Sequence, residues 1–346
     1  DGKRKLIPIK PDIITESTLN DTDDPAIWVH PTDPSKSIVF GTDKETNGAI
    51  YAFDLEGKVL ANKTIRNIKR PNNVDVGYGF RMNDTLTTDI MVFTEREKQQ
   101  IRLFSVPEMI PLDNGGFKVF EDTQNIESKL PMGIALYKSP KDGLFYAIVS
   151  RKYGPKKGYL YQYILTLDGG RIQTKLVRKF GDFSGKKEIE AIAVDAEMGF
   201  IYYSDEGHGI RKYYAEPSKG NEEISCFGRD YFQDDIEGIA IVKMANQNGY
   251  LIVSDQQRGQ FNVTFDLNQI LQDEENYFDS LVTNSNQMEL LTRYPIRETQ
   301  VLNRITSGLR LNKEQYENTV RKLILDSTEI KDFYRALLQP LTELIE

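Results

Sequence analysis

One pattern returns five times before about Leu267: an apolar strand, a polar turn, then a second strand rich in Tyr or Phe. The copies are 37–43 with 49–53, 90–95 with 101–104, 145–151 with 159–163, 200–205 with 210–213, and 250–255 with 260–263. Aligned on Asp43, Glu95, Arg151, Asp205 and Asp255, they are spaced by 52, 56, 54 and 50 residues. That period, made of strands and turns alone, suits a four-stranded propeller blade. A short strand lies upstream of each copy, at 26–29, 73–76, 133–136, 191–194 and 238–241. The innermost strands of a propeller line its central channel, so these five segments are expected to converge on one axis. The acids flanking them would then gather at one mouth.

After Leu267 the pattern changes. Of the 25 glycines only Gly308 lies beyond that point, and helical periodicity replaces alternating strands. Asp326-Ser327-Thr328-Glu329 resembles a capping box, and behind it Ile330, Phe333, Tyr334, Leu337, Leu338, Leu341, Leu344 and Ile345 share a helical face, with Pro340 dividing the run. A second amphipathic stretch begins at Asn312 and runs through Tyr316, Val320, Leu323 and Ile324. The expected division is an all-β propeller over 1–266 followed by a helical C-terminal segment over 267–346.

The mouth acids decide what such a propeller could do. Asp23-Asp24-Pro25 precedes the first inner strand, Asn72-Asn73-Val74-Asp75 opens the second, Glu190 precedes the fourth and Asp235-Ile236-Glu237 the fifth. Asp205-Glu206 and Asp255-Gln256 end two of the following strands. One acid at a strand end ordinarily turns to solvent. Glu190 and Glu237, however, sit in similar settings, each after an isoleucine and before small and β-branched residues. Burying an unpaired carboxylate costs several kcal/mol, and clustered carboxylates repel unless a cation intervenes. With only His30 and His208 and the single Cys226, a metal here must rely on oxygen ligands, which suit calcium or magnesium.

Cations recur in the same turns. Lys44, Arg96 and Lys152 each follow the aligned residue of their repeat, and Arg151 stands beside the last of them. A lone Lys in a turn is most often merely solvated. Three cations at equivalent positions facing an acid cluster suit a multiply charged anion held partly by metal and partly by side chains.

Other chemistries are excluded. Residues 181–187 miss a nucleotide P-loop, being one residue short and lacking the closing Ser or Thr. Cys226 lacks the arginine of a cysteine-phosphatase loop, and no G-x-S-x-G elbow occurs. The net charge of −8 gives no footprint for nucleic acid or an anionic membrane. No apolar run approaches the roughly 20 residues of a membrane helix. One cysteine excludes an internal disulfide.

Taken together, Asp23-Asp24-Pro25-Ala26-Ile27-Trp28, Asn72-Asn73-Val74-Asp75, Glu190 with Glu206, and Asp235-Ile236-Glu237-Gly238 resemble the β-propeller (alkaline) phytases over residues 8 to 266. The resemblance implies a six-bladed propeller that hydrolyses phosphomonoesters of myo-inositol hexakisphosphate with several calcium ions and a calcium-activated water, a 3-phytase-type phosphoric monoester hydrolase. It implies Asp24, Glu190, Glu206, Asp235, Glu237 and Gln256 as calcium ligands, supported by Asp23 and Asn73. Lys44, Arg96 and Lys152 become the phosphate-binding cations, with Arg151 a further candidate, and together with Glu190 they are expected to carry catalysis. A secreted or periplasmic protein whose signal peptide has been removed is implied too. So is a monomer, unless open blade edges pair.

Two departures accompany the resemblance. Met132 stands where the family has a tyrosine, and no repeat after Leu267 supplies the last blade's Asp and Asn ligands or a neighbour for Leu6-Ile7-Pro8-Ile9. The alternative reading is therefore a non-catalytic calcium-binding propeller serving as a ligand or partner-binding module. A calcium-dependent lactone hydrolase would share the acid-lined channel but has no use for Lys44, Arg96 and Lys152.

Overall fold

Strands that must be buried on both faces cannot alternate polar with apolar, and the second strand of each repeat does not. Ile90, Met91, Val92 and Phe93 are all fully buried. Ile90 and Val92 join one core, with Ile134, Leu136, Phe145, Ala147 and Val149. Met91 and Phe93 join another, with Phe40, Ile50, Ala52 and Phe104. The same division recurs one repeat later, where Phe145, Ala147 and Val149 face backward into the first of these cores and Tyr146 and Ile148 face forward to Ile201, Tyr203 and Tyr213. The hydrophobic cores therefore lie between successive sheets, as in a propeller.

The computed structural model describes residues 11–229, 232, 236–243, 249–255 and 260–266, the last strand as backbone alone. Five sheets form among them. The first orders β1 (Thr22–Trp28), β2 (Ile38–Asp43), β3 (Gly48–Phe53) and β4 (Ile65–Ile68) as an antiparallel meander. The second repeats it with β5 (Pro71–Arg81), β6 (Thr87–Glu95), β7 (Gln100–Val106) and β8 (Phe117–Lys118). The third has β9 (Pro131–Lys138), β10 (Phe145–Arg151), β11 (Lys157–Asp168) and β12 (Arg171–Asp182). The fourth has β13 (Ile192–Asp195), β14 (Phe200–Asp205), β15 (Gly209–Tyr214) and β16 (Ser225–Phe227). The fifth has β17 (Ile239–Lys243), β18 (Gly249–Asp255) and β19 (Gln260–Asp266).

The sheets are propeller blades, and the five repeats fall one to a blade. Inner strands β1, β5, β9, β13 and β17 stand side by side in that order. All five line a single cavity of about 310 Å³ on the propeller axis. The approach between inner strands is close enough to require glycine at one point: a Cβ on Gly133 would lie 1.8 Å from the Glu190 carbonyl oxygen.

The chain divides into two units, Asp1–Phe265 and Asp266–Glu346. The helical segment expected over 267–346 and the N-terminal run Leu6-Ile7-Pro8-Ile9 lie outside the described residues.

Candidate active site

Each second strand ends in a hydroxyl residue (Thr42, Thr94, Ser150, Ser204, Ser254) followed by a buried charged residue, and in the first four blades a further residue is presented beyond the strand end. The hydroxyls fasten inner strands. Thr94 accepts from Asn73 N at 3.2 Å and donates to Met132 O of the next blade at 2.7 Å. Ser150 likewise accepts from Gly133 N and donates to Ile189 O, at 2.8 and 2.6 Å.

The charged residues that aligned the repeats prove to be anchors. Asp43 accepts from the backbone N–H groups of Asn20 and Asp21, and Glu95 from Lys69 N and Gln100 Nε2. Asp205 accepts from Ser184 N and Arg211 Nε at 2.8 Å each. Arg151, expected as a further substrate-binding cation, occupies the same position. It is buried, donates to Tyr159 O and Gly158 O at 3.1 and 2.9 Å, and lies 4.7 Å from the ring centroids of both Phe120 and Tyr161. Its guanidinium is committed to holding a turn.

The residues that follow the anchors, Lys44, Arg96, Lys152 and Glu206, meet the acids of the inner-strand entries. Lys44 Nζ donates to Asp23 Oδ1 at 2.8 Å. Lys152 Nζ is paired with Glu188, at 2.8 Å from Oε1 and 2.6 Å from Oε2. Arg96 Nη2 donates to Asn72 Oδ1, and Asn72 Nδ2 donates in turn to Glu190 Oε1 and to Asn73 Oδ1. The buried Met132 sets its sulfur against the same Arg96 nitrogen. Asp24 accepts from Val74 N of the neighbouring blade at 2.9 Å and lines the channel with Asn73. Glu188, Glu190 and Glu206 bring carboxylate oxygens within 4.8 Å of one another. Glu237 is near enough for its charge to act on Glu190. Asp235 and Gln256 lie outside the described residues.

Crowding of like charges away from water sets the electrostatics. Burial, and then the charge of Asp23, pushes the Glu190 carboxyl up to about 7, with Lys44 opposing. Asp24 is raised well above the usual carboxylate range by burial, with Asp23, Glu190 and Asp75 adding to it. Burial alone would lower Lys44, but its bond to Asp23 and the charge of Glu190 carry it above the ordinary lysine value. Burial lowers Arg96 against the pull of Glu190. One level down the channel, burial raises Asp75 to about 6, while the N–H groups of Leu136 and Val76 hold its oxygens.

Such donors suit a hard divalent cation. They are oxygens, they are crowded, and Asp23 Oδ2 is buried without a hydrogen-bond partner. Two residues of this group were absent from the expected set. Asn72 stands beside Asn73, and Glu188 alternates with Glu190, a spacing that puts both on one side of an extended segment. That spacing was the available signal.

Fold and site define a β-propeller whose channel mouth interleaves acids with cations from successive blades. A family model described as Phytase matches residues 8–287, running past Leu267 where the repeats stop, and the chain belongs to the phytase family. A 3-phytase of Bacillus subtilis (strain 168) is 33% identical over 243 residues, which cover 68% of this chain and 59% of that protein. The chain thus spans less than two thirds of the length of this curated relative.

Proposed function

We propose that this chain is a calcium-dependent phosphomonoesterase of the 3-phytase type, acting on myo-inositol hexakisphosphate. The observation that carries the reading is the convergence of three cations from successive blades, Lys44, Arg96 and Lys152, on the carboxylates of one channel mouth. Family membership and the 3-phytase relative agree with it.

Asp24, Glu190 and Glu206 would hold calcium, with Glu237, Asp235, Gln256, Asp23 and Asn73 completing its surroundings. When bound, calcium supplies Lewis acidity that lowers the pKa of water and offsets the negative charge of carboxylates and phosphate. The protein's own part is positioning and charge. Lys44 and Lys152 present ammonium point charges and Arg96 a planar donor fork, arranged to take phosphate oxygens as their charge grows in the transition state. Asn72 fixes Arg96 and Glu190 relative to each other, so that anion-binding and metal-binding groups keep one spacing. Arg151 is assigned to the fold rather than to the substrate, since its Nε and Nη2 bond Tyr159 O and Gly158 O at the start of β11. A secreted or periplasmic location goes with this reading.

Steady-state phosphate release by Lys44→Met and Arg96→Met variants tests the assignment. A fall of about tenfold or more in kcat/KM is expected for each, equivalent to losing one charge-assisted contact of ~1.4 kcal/mol. An unchanged rate would remove the phosphatase reading and favour a propeller that only binds calcium.

A further inference from the structure

Glu188 belongs to two groups at once. Its carboxylate holds the Lys152 ammonium at 2.6 to 2.8 Å, and it also lies in the three-glutamate group with Glu190 and Glu206. The pair links blades, since Lys152 follows β10 of the third blade and Glu188 precedes β13 of the fourth. Both side chains keep some exposure, 29% for Lys152 and 22% for Glu188, so the pair is weakly held against a competing ion. Within the first blade Lys44 is likewise paired, with Asp23 Oδ1, and the second Asp23 oxygen is buried without a hydrogen-bond partner. The cations placed for an anion are thus neutralised by the carboxylates placed for a metal.

We propose that Glu188 is an exchange carboxylate: it holds Lys152 until a divalent cation joins the three-glutamate group, then turns to that cation and leaves Lys152 to a phosphate group. The inference rests on the calcium-dependent reading above and adds a residue and a regulation to it. A dication attracts a carboxylate more strongly than an ammonium does and relieves the repulsion among three glutamates at once. Calcium and phosphate then bind with positive coupling, and the coupling is reciprocal. No bond other than the ion pair is exchanged. Lys152 keeps its proton throughout.

Calorimetric titration of the full chain tests this with calcium alone, and with inorganic phosphate in chelator, comparing the unaltered protein with Glu188→Gln and Lys152→Met. Glu188→Gln is expected to weaken calcium by about fivefold or more and to tighten phosphate in chelator, because Lys152 is no longer neutralised. Lys152→Met is expected to tighten calcium, because Glu188 loses its competing partner. Opposite signs for the two ligands in one variant are not produced by a merely structural ion pair. If the unaltered protein binds calcium and Glu188→Gln leaves that affinity within about twofold, the exchange role is overturned while the calcium reading stands. Should Glu188→Gln fail to fold, Lys152→Met decides: unchanged or weaker calcium binding overturns the proposal. Failure of the unaltered protein to bind calcium overturns both.

Discussion

Glu190 carries the sharpest conflict in the molecule. Burial and the charge of Asp23 raise its folded-state pKa from 4.5 to about 7. In metal-free protein this group therefore favours folding fully below about pH 4.5, and that contribution is lost as pH rises through about 7. A divalent cation needs the ionised carboxylate, so its affinity rises over the same window. The calcium-induced gain in Tm should be larger at pH 8 than at pH 5.5, and Glu190→Gln should flatten that difference. Thermal denaturation with calcium and with chelator at the two pH values measures it, and equal gains would contradict the placement of Glu190 in a metal site. At this scale the sequence shows which charged residues recur but not where they point. Arg151 and Lys152 are adjacent cations, and nothing in their types shows that one anchors a turn and the other faces the mouth. The difference arises because successive residues of an extended chain point to opposite sides, and only the rings of Phe120 and Tyr161 fix which side is which.

At the level of elements, the second strands were the most legible part, because burial between two cores leaves an unbroken apolar run. The outer strands were not. β12 mixes exposed Lys and Arg with buried positions, while β8 has two residues and β16 three, too short for any period to register. The hydroxyl residues at the second-strand ends were present in the sequence but looked like ordinary strand Ser and Thr. Their role came from geometry, since Thr94 bridges Asn73 N to Met132 O across a blade boundary. Thr94→Val keeps the shape and leaves a buried N–H and C=O unpaired, which should cost about 1–3 kcal/mol. Urea denaturation reads that cost, and a midpoint unchanged from the unaltered protein would show that the bridge is dispensable. Gly133→Ala should cost at least as much, about 1–3 kcal/mol or more, because the added carbon meets the Glu190 carbonyl at 1.8 Å and the backbone has no flexible end to yield. The same variant should weaken calcium binding, since Glu190 would move with its carbonyl.

For the whole molecule, the net charge of −8 opposes the approach of a polyanion. If a calcium-loaded, cation-rimmed mouth governs binding instead, attraction dominates locally and salt screens it over a Debye length of ~10 Å at 0.1 M. KM for inositol hexakisphosphate should therefore rise with sodium chloride at saturating calcium. A KM that falls with salt would mean that overall charge, not the mouth, controls the encounter. The repeat period makes the propeller readable from the sequence. The pairing of each cation with a particular acid was not readable, because Lys44 and Asp23 lie 21 residues apart and Lys152 and Glu188 lie 36 apart, in different elements and in the second case in different blades. The most direct measurement is phosphate release from inositol hexakisphosphate by the full chain, in calcium and in chelator, beside Glu190→Gln. Turnover that requires calcium and is lost in Glu190→Gln is the expected result. Turnover that persists in chelator, or none in calcium although calcium raises the Tm, would contradict a calcium-dependent phosphomonoesterase.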